Sequence, residues 1–167
     1  MKVTSKGIKD GIISEEYGGR GTQFNANGVP DYSLPFQVED APEKTMSLAL
    51  VLEDKDAYPV TGFVWIHWLA ANITRFEIGE NESLGAKDFV QGCNSFMSVQ
   101  GGEQSKELSS FYGGMTPPDR AHMYELHVFA LDCMLEVKNG FWLNELYRKM
   151  EGHILEESVC RGIYDKM

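Results

Sequence analysis

Apolar and polar positions alternate with period two over Met46–Glu53 (MSLALVLE), which places Met46, Leu48, Leu50 and Leu52 on one face of a strand. Val64–Ala71 (VWIHWLAA) is a short run of aromatic and β-branched residues and reads as a strand buried on both sides. His122–Leu131 (HMYELHVFAL) is a third strand, with both faces largely apolar. Shorter strands are expected near Lys2–Thr4, Gly11–Ile13 and Phe36–Val38, with Asp10-Gly11 as a turn signal. Helical periodicity is scarce. Its best instance is Asn139–Met150, where Trp142, Leu146 and Met150 recur at spacings of four, Asn139 is the candidate N-cap and Gly152 the stop. Phe76 to Met115 is rich in Gly, Ser, Asn and Glu with only weak pattern, and a connection of that length is usually functional or partly mobile. The sum is a mostly β chain with one or two peripheral helices, and the strand pattern favours a sandwich over a barrel.

Composition narrows the picture. One domain over residues 1–167 is the expectation, and 43% hydrophobic with 24% charged residues excludes a largely disordered chain. A formal charge of −10 disfavours non-specific nucleic-acid binding and adsorption to anionic membranes, since both begin with a basic surface. It leaves room for a small local anion site. Cys93, Cys133 and Cys160 are odd in number and lack CxxC spacing, which argues against a disulfide framework and for a reducing compartment. The first residues contain no apolar signal core, and the longest apolar stretch, Phe63–Ile73, is too short to span a bilayer. A cytoplasmic location without membrane insertion is therefore expected.

Four histidines bear the candidate chemistry. By period two, His67 shares a face with Trp65, Leu69 and Ala71, so its imidazole must find partners or cost stability. It is either a core histidine satisfied by a backbone carbonyl or a donor turned into a pocket. His122 shares a face with Tyr124, Leu126 and Val128, or is simply exposed at a strand start. His127 with Glu125 reads as a pair on the opposite face, and His153 has no supporting neighbours. Asp54 and Asp56 follow a strand, where such residues serve turns or orient a histidine. Pro117-Pro118 stiffens the approach to His122, and Gly113-Gly114 permits positive φ or close approach. Phosphate-loop, dinucleotide, nucleophile-elbow and zinc-protease motifs are absent.

Two blocks, ALVLEDKDAYPVTGFVWIHWLAAN ending at Asn72 and YGGMTPPDRAHMYELHVFALD over Tyr112–Asp132, resemble the two signature regions of the phosphatidylethanolamine-binding protein family, also called the Raf kinase inhibitor-like family. The likeness is to its bacterial branch. Ser33-Leu34-Pro35-Phe36, Asp88–Phe96 (DFVQGCNSF) and the tail Gly152–Tyr164 extend it over nearly the whole chain from Asp31. The family's D-P-D-x-P stands here as Asp54-Lys55-Asp56-Ala57-Tyr58-Pro59, and its G-P before P-P as Gly114-Met115.

The resemblance implies a β-sandwich of two antiparallel sheets with small peripheral helices and an anion-accepting cavity at one end. Carried over by position, the ligand-binding residues are Asp54, Asp56, Trp65, His67, Gly114, Pro117, Pro118, His122 and Tyr124. It implies no metal or other cofactor, and it suggests a small anionic or phosphorylated ligand, homodimerisation, and modulation of a protein partner such as a kinase. Two imidazoles and a phenol suit a phosphate or carboxylate, with affinity rising as pH falls. The competing readings are a metal-dependent hydrolase using Asp54, His67 and His122 as two histidines and a carboxylate, and an interaction module whose pocket is vestigial.

Overall fold

In the computed structural model, which describes residues 1–167, two sheets stack face to face. β1 (Lys2–Thr4), β4 (Phe36–Glu39) and β7 (Glu77–Ile78) form a three-stranded sheet in the order β1-β4-β7. β2 (Ile8–Lys9), β3 (Ile12–Ile13), β5 (Ser47–Asp54), β6 (Trp65–Ile73), β8 (Val90–Gly92), β9 (His122–Leu131) and β10 (Ile154–Tyr164) form a seven-stranded sheet in the order β2-β3-β10-β9-β5-β6-β8. The pairings are antiparallel except the single parallel rung between Ile12 of β3 and Ile163 of β10. Two helices, α1 (Tyr58–Thr61) and α2 (Leu143–Met150), lie at the periphery.

Residues of period two divide the core. Val3, Phe36, Val38 and Ile78 of the small sheet meet Leu48, Leu50, Leu52, Trp68, Leu126 and Val128 of the large one. The opposite face of the large sheet carries Ala49, Val51, Leu69, Phe129 and Leu131, covered by Phe141 and by Leu146 and Met150 of α2. β5 is thus buried on both faces, not on one, and Met46 lies outside the strand and exposed. The alternation was real, but its second face, Ala49 and Val51, is apolar too, as a central strand under a helix requires.

β1 and β9 occupy the expected residues, and Asp10 and Gly11 take φ of 52° and 78° in the hairpin turn between β2 and β3. α2 begins later than Asn139. Gly140 at φ 81° breaks the helical path, the Asn139 side chain accepts from the Gln91 amide at 2.9 Å, and Glu145 bonds the Trp142 amide at 2.7 Å. β10 carries no pattern that predicts it. It is held by a ten-rung ladder to β9.

The stretch from Phe76 to Met115 is built from β7, β8 and three short 3-10 turns. Buried amides take the place of periodicity there. Gln91 accepts from the Trp68 indole and from Ser83 Oγ, and donates to the Ser83 carbonyl. Asn94 donates to the Phe111 carbonyl and accepts from the Phe96 amide. These paired amides hold a Gly- and Ser-rich segment in place without a hydrophobic stripe, although Gln104 Nε2 and Ser109 Oγ are buried there without a partner.

Candidate functional site

Sheet register places the first functional side chain. Leu52 of β5 faces Trp68 of β6, while the next residue, Glu53, faces Ile66, so His67 is the extra residue of a β-bulge. The bulge changes its neighbours. Leu69 and Ala71 belong to the face under α2, whereas His67 turns toward Tyr124, with ring centroids 5.2 Å apart in an edge-on arrangement. A strict period of two puts His67 with Leu69 and Ala71; the inserted residue reverses that.

His67 lies beside Asp54, at the end of β5, and His122 and Tyr124, at the start of β9. These four share a cleft of about 190 Å³ with Trp65, Phe96, Pro117 and Pro118, and with Thr61, Gln100 and Thr116. Of the nine residues the sequence nominated, seven line it: Asp54, Trp65, His67, Pro117, Pro118, His122 and Tyr124.

Asp56 and Gly114 do not. Asp56 accepts from the Met123 amide and from Arg120, both at 3.0 Å, and so ties the turn after β5 to the start of β9. Gly114 lies behind the wall, its amide bonded to the Pro30 carbonyl at 2.7 Å. A Cβ there would stand 2.6 Å from the Tyr17 carbonyl oxygen and 2.7 Å from Pro30 Cβ. Close approach, not positive φ, is what this glycine provides. Gly114→Ala should therefore destabilise the fold by about 1–3 kcal/mol, read as a lowered urea midpoint.

Asp54 is the hub. Its Oδ1 accepts from the Ala57 amide at 3.0 Å and its Oδ2 from His122 Nδ1 at 2.7 Å, with both side chains nearly fully buried. His122 is not an exposed strand-start residue. Its Nε2 donates to Asp119 Oδ1 at 2.8 Å. Burial opposes the imidazolium, but the two carboxylates outweigh it and raise the His122 pKa.

His67 behaves oppositely. Burial lowers its pKa, against the partial opposition of Asp54 and of the Gly113 carbonyl. Its Nδ1 lies 2.6 Å from that carbonyl, which can only accept, so Nδ1 carries the proton and Nε2 of the neutral ring is an acceptor. The backbone-satisfied histidine and the pocket histidine are thus one residue. Burial and the neighbouring Asp54 charge raise the Tyr124 pKa, leaving a phenol that donates. The Trp65 indole Nε1 is buried without a partner.

Phe96, Gln100, Thr61 and Thr116 were not singled out from the sequence. Phe96 and Gln100 lie in short 3-10 turns that have no periodic signal, although Phe96 ends the DFVQGCNSF block. Phe96 packs its edge against Trp65 at 5.2 Å and against His67 at 6.0 Å. Asp54, His67 and His122 do not form a metal-ligating group. The sets of three that converge within 4.8 Å are Asp132/Cys133/His153 and Glu53/Glu125/His127.

Two stacked sheets with a small aromatic, histidine-lined cleft beyond the ends of central strands define a β-sandwich with a cleft at one end. The chain belongs to the phosphatidylethanolamine-binding protein family, whose pattern matches residues 4–165. It is 44% identical over 139 residues to YxkA of Bacillus subtilis, covering 81% of this chain and 83% of that protein. It is 31% identical to a Chlamydia trachomatis protein over 86% of this chain and 89% of the other. Among solved structures it is similar to a phosphatidylethanolamine-binding protein homologue of Chlamydia trachomatis, with a TM-score of 0.79 and 28% identity over 99% of this chain and 97% of that one. Escherichia coli YbcL shares the fold, with a TM-score of 0.76 and 22% identity over 99% and 98% of the two chains. No helix is long and apolar enough to cross a membrane.

Proposed function

We propose that the cleft binds a small phosphorylated or otherwise anionic group, with a phosphorylated amine of the headgroup type as the best fit. The observation that carries this reading is the disposition of its polar groups. The one deeply buried carboxylate, Asp54, is already engaged by His122 and the Ala57 amide, while the Trp65 N–H on the same wall has no partner. The Trp65 N–H therefore calls for an acceptor, and His67 Nε2 becomes a second donor once the ring takes up a proton. His122 supplies positive charge, Tyr124 and Trp65 supply donors, and Trp65 and Phe96 exclude water around them. Asp119, hydrogen-bonded to His122 Nε2 and with its side chain 41% exposed, is the candidate to receive an ammonium group once an anion takes its position on that nitrogen.

Proton linkage gives a sign. Burial in the cleft favours the neutral His67 ring, because it lowers the pKa below the ordinary value of about 6.5. A phosphate beside the ring favours the imidazolium, so binding takes up a proton and affinity rises as pH falls from 8 to 6. Below about pH 6 the phosphate monoester itself begins to protonate, which opposes the trend. Calorimetric titration with O-phosphoethanolamine and with inorganic phosphate at both pH values tests this reading. Tighter binding at pH 6 and its loss in His67→Ala are expected. Affinity that is flat across the range, or retained in the variant, would remove His67 from the account.

A further inference from the structure

We propose that Asp132, Cys133 and His153 form a site for a thiophilic divalent cation, with Zn²⁺ as its ordinary occupant. One ligand atom from each residue lies within 4.8 Å of the other two, and Asp132 and His153 are exposed. The cluster sits beyond the C-terminal end of β9, roughly 30 Å along that strand from the cleft, so it is independent of the anion reading.

Its backbone is fixed from three directions. The Asp132 amide donates to the His153 carbonyl at 3.1 Å, continuing the β9–β10 ladder, and the His153 amide donates to the Met150 carbonyl at the end of α2. Ser47 Oγ at the start of β5 donates to the Cys133 carbonyl at 2.5 Å. The three side chains are therefore presented from ordered strand and helix ends.

Charge distinguishes this cluster from the other converging set. Around Glu53, Glu125 and His127, the place of a cation is already taken: Lys55 Nζ lies 2.6 Å from Glu125 and 3.2 Å from Glu53, and Arg161 Nε lies 3.1 Å from Glu125. Asp132 has no lysine or arginine partner. Its one ion-pair contact is His153 Nδ1 at 2.8 Å.

A thiolate, an imidazole and a carboxylate form a mixed S/N/O donor set of the kind Zn²⁺ takes, with water completing a tetrahedron on the solvent side. Bonds of about 2.0–2.3 Å bring tetrahedral ligand atoms to roughly 3.3–3.8 Å of one another, so rotation of the exposed Asp132 and His153 side chains toward the half-buried Cys133 would close the set. Coordination releases the thiol proton to solvent.

Untagged, reduced full-length protein titrated with Co²⁺ and Zn²⁺ tests the proposal. The expected result is one ion per chain and a near-ultraviolet thiolate-to-cobalt charge-transfer band. Cys133→Ser should abolish the band, and His153→Gln should weaken Zn²⁺ binding at least about 10-fold, the lower end of what losing even an outer-shell partner costs. His127→Gln should change neither. His153→Gln alters a half-exposed side chain and reports on its own if Cys133→Ser folds poorly. The absence of the band, its survival in Cys133→Ser, or loss of Zn²⁺ binding in His127→Gln with retention in His153→Gln would overturn the assignment.

Discussion

Asp54→Ala is expected to lower the unfolding free energy by about 3–5 kcal/mol, the usual result of removing one partner from a buried ion pair. The substitution takes the acceptor from His122 Nδ1 and from the Ala57 amide together, and both residues are buried. Against a total stability of about 5–15 kcal/mol for a domain of ordinary size, that loss is severe. The effect should depend on pH in a definite direction. His122 has a raised folded-state pKa, so its contribution is fully present below the unfolded value of about 6.5 and is lost as pH rises through the folded value. Urea unfolding should therefore show a wider gap between wild type and Asp54→Ala at pH 6 than at pH 8. A gap that widens toward pH 8 would mean that His122 is not the charge Asp54 serves.

Asp119→Ala is expected to tighten phosphate binding about 10-fold, because it removes a like charge within a few ångströms of the incoming anion and frees the His122 Nε2 proton. Stability should change much less than in Asp54→Ala, since the Asp119 side chain is 41% exposed and its pairing with His122 is screened by solvent. An amine-bearing ligand separates the two roles of Asp119. The gain for O-phosphoethanolamine should be smaller than the gain for inorganic phosphate, because the variant also loses the acceptor for the ammonium group. Equal gains would leave the carboxylate as a competitor only. Weaker phosphate binding would contradict the arrangement.

These expectations rest on a site whose parts differ in how far the sequence reveals them. β9 reads directly from His122–Leu131 because its two faces are largely apolar, and the same reading puts His122 and Tyr124 side by side. His67 was visible as an imidazole inside an apolar run, but its direction was not. The bulge that turns it toward Tyr124 comes from pairing with β5 and has no local signature. Asp56 and Gly114 were found with the right neighbours and the wrong task. A carboxylate that bonds the Met123 amide and a glycine that lets Pro30 close in both support the cleft without lining it.

Phe96 and Gln100 were illegible for a different reason. They come from 3-10 turns capped by the Asn94 side-chain amide and the Ser98 hydroxyl, and side-chain hydrogen bonds of that kind have no period. β10 is the clearest case on the fold side. Its sequence, ILEESVCRGIY, carries Glu and Arg on a strand that is mostly half-buried or exposed, and only the ladder to β9 makes it a strand. The family resemblance compensated for what local pattern lacks, since its two blocks supply in chain order the residues that the β5–β6 and β5–β9 pairings bring to one cleft.

The most direct measurement is the protonation of the histidine rings, followed by nitrogen-15 NMR at pH 7 while O-phosphoethanolamine is added. The account predicts that His67 passes from a neutral ring protonated at Nδ1 to the doubly protonated form, that the His122 resonances shift with it, and that His127 and His153 stay where they were. A His67 ring that remains neutral at saturation, or perturbations confined to His127 and His153, would contradict it.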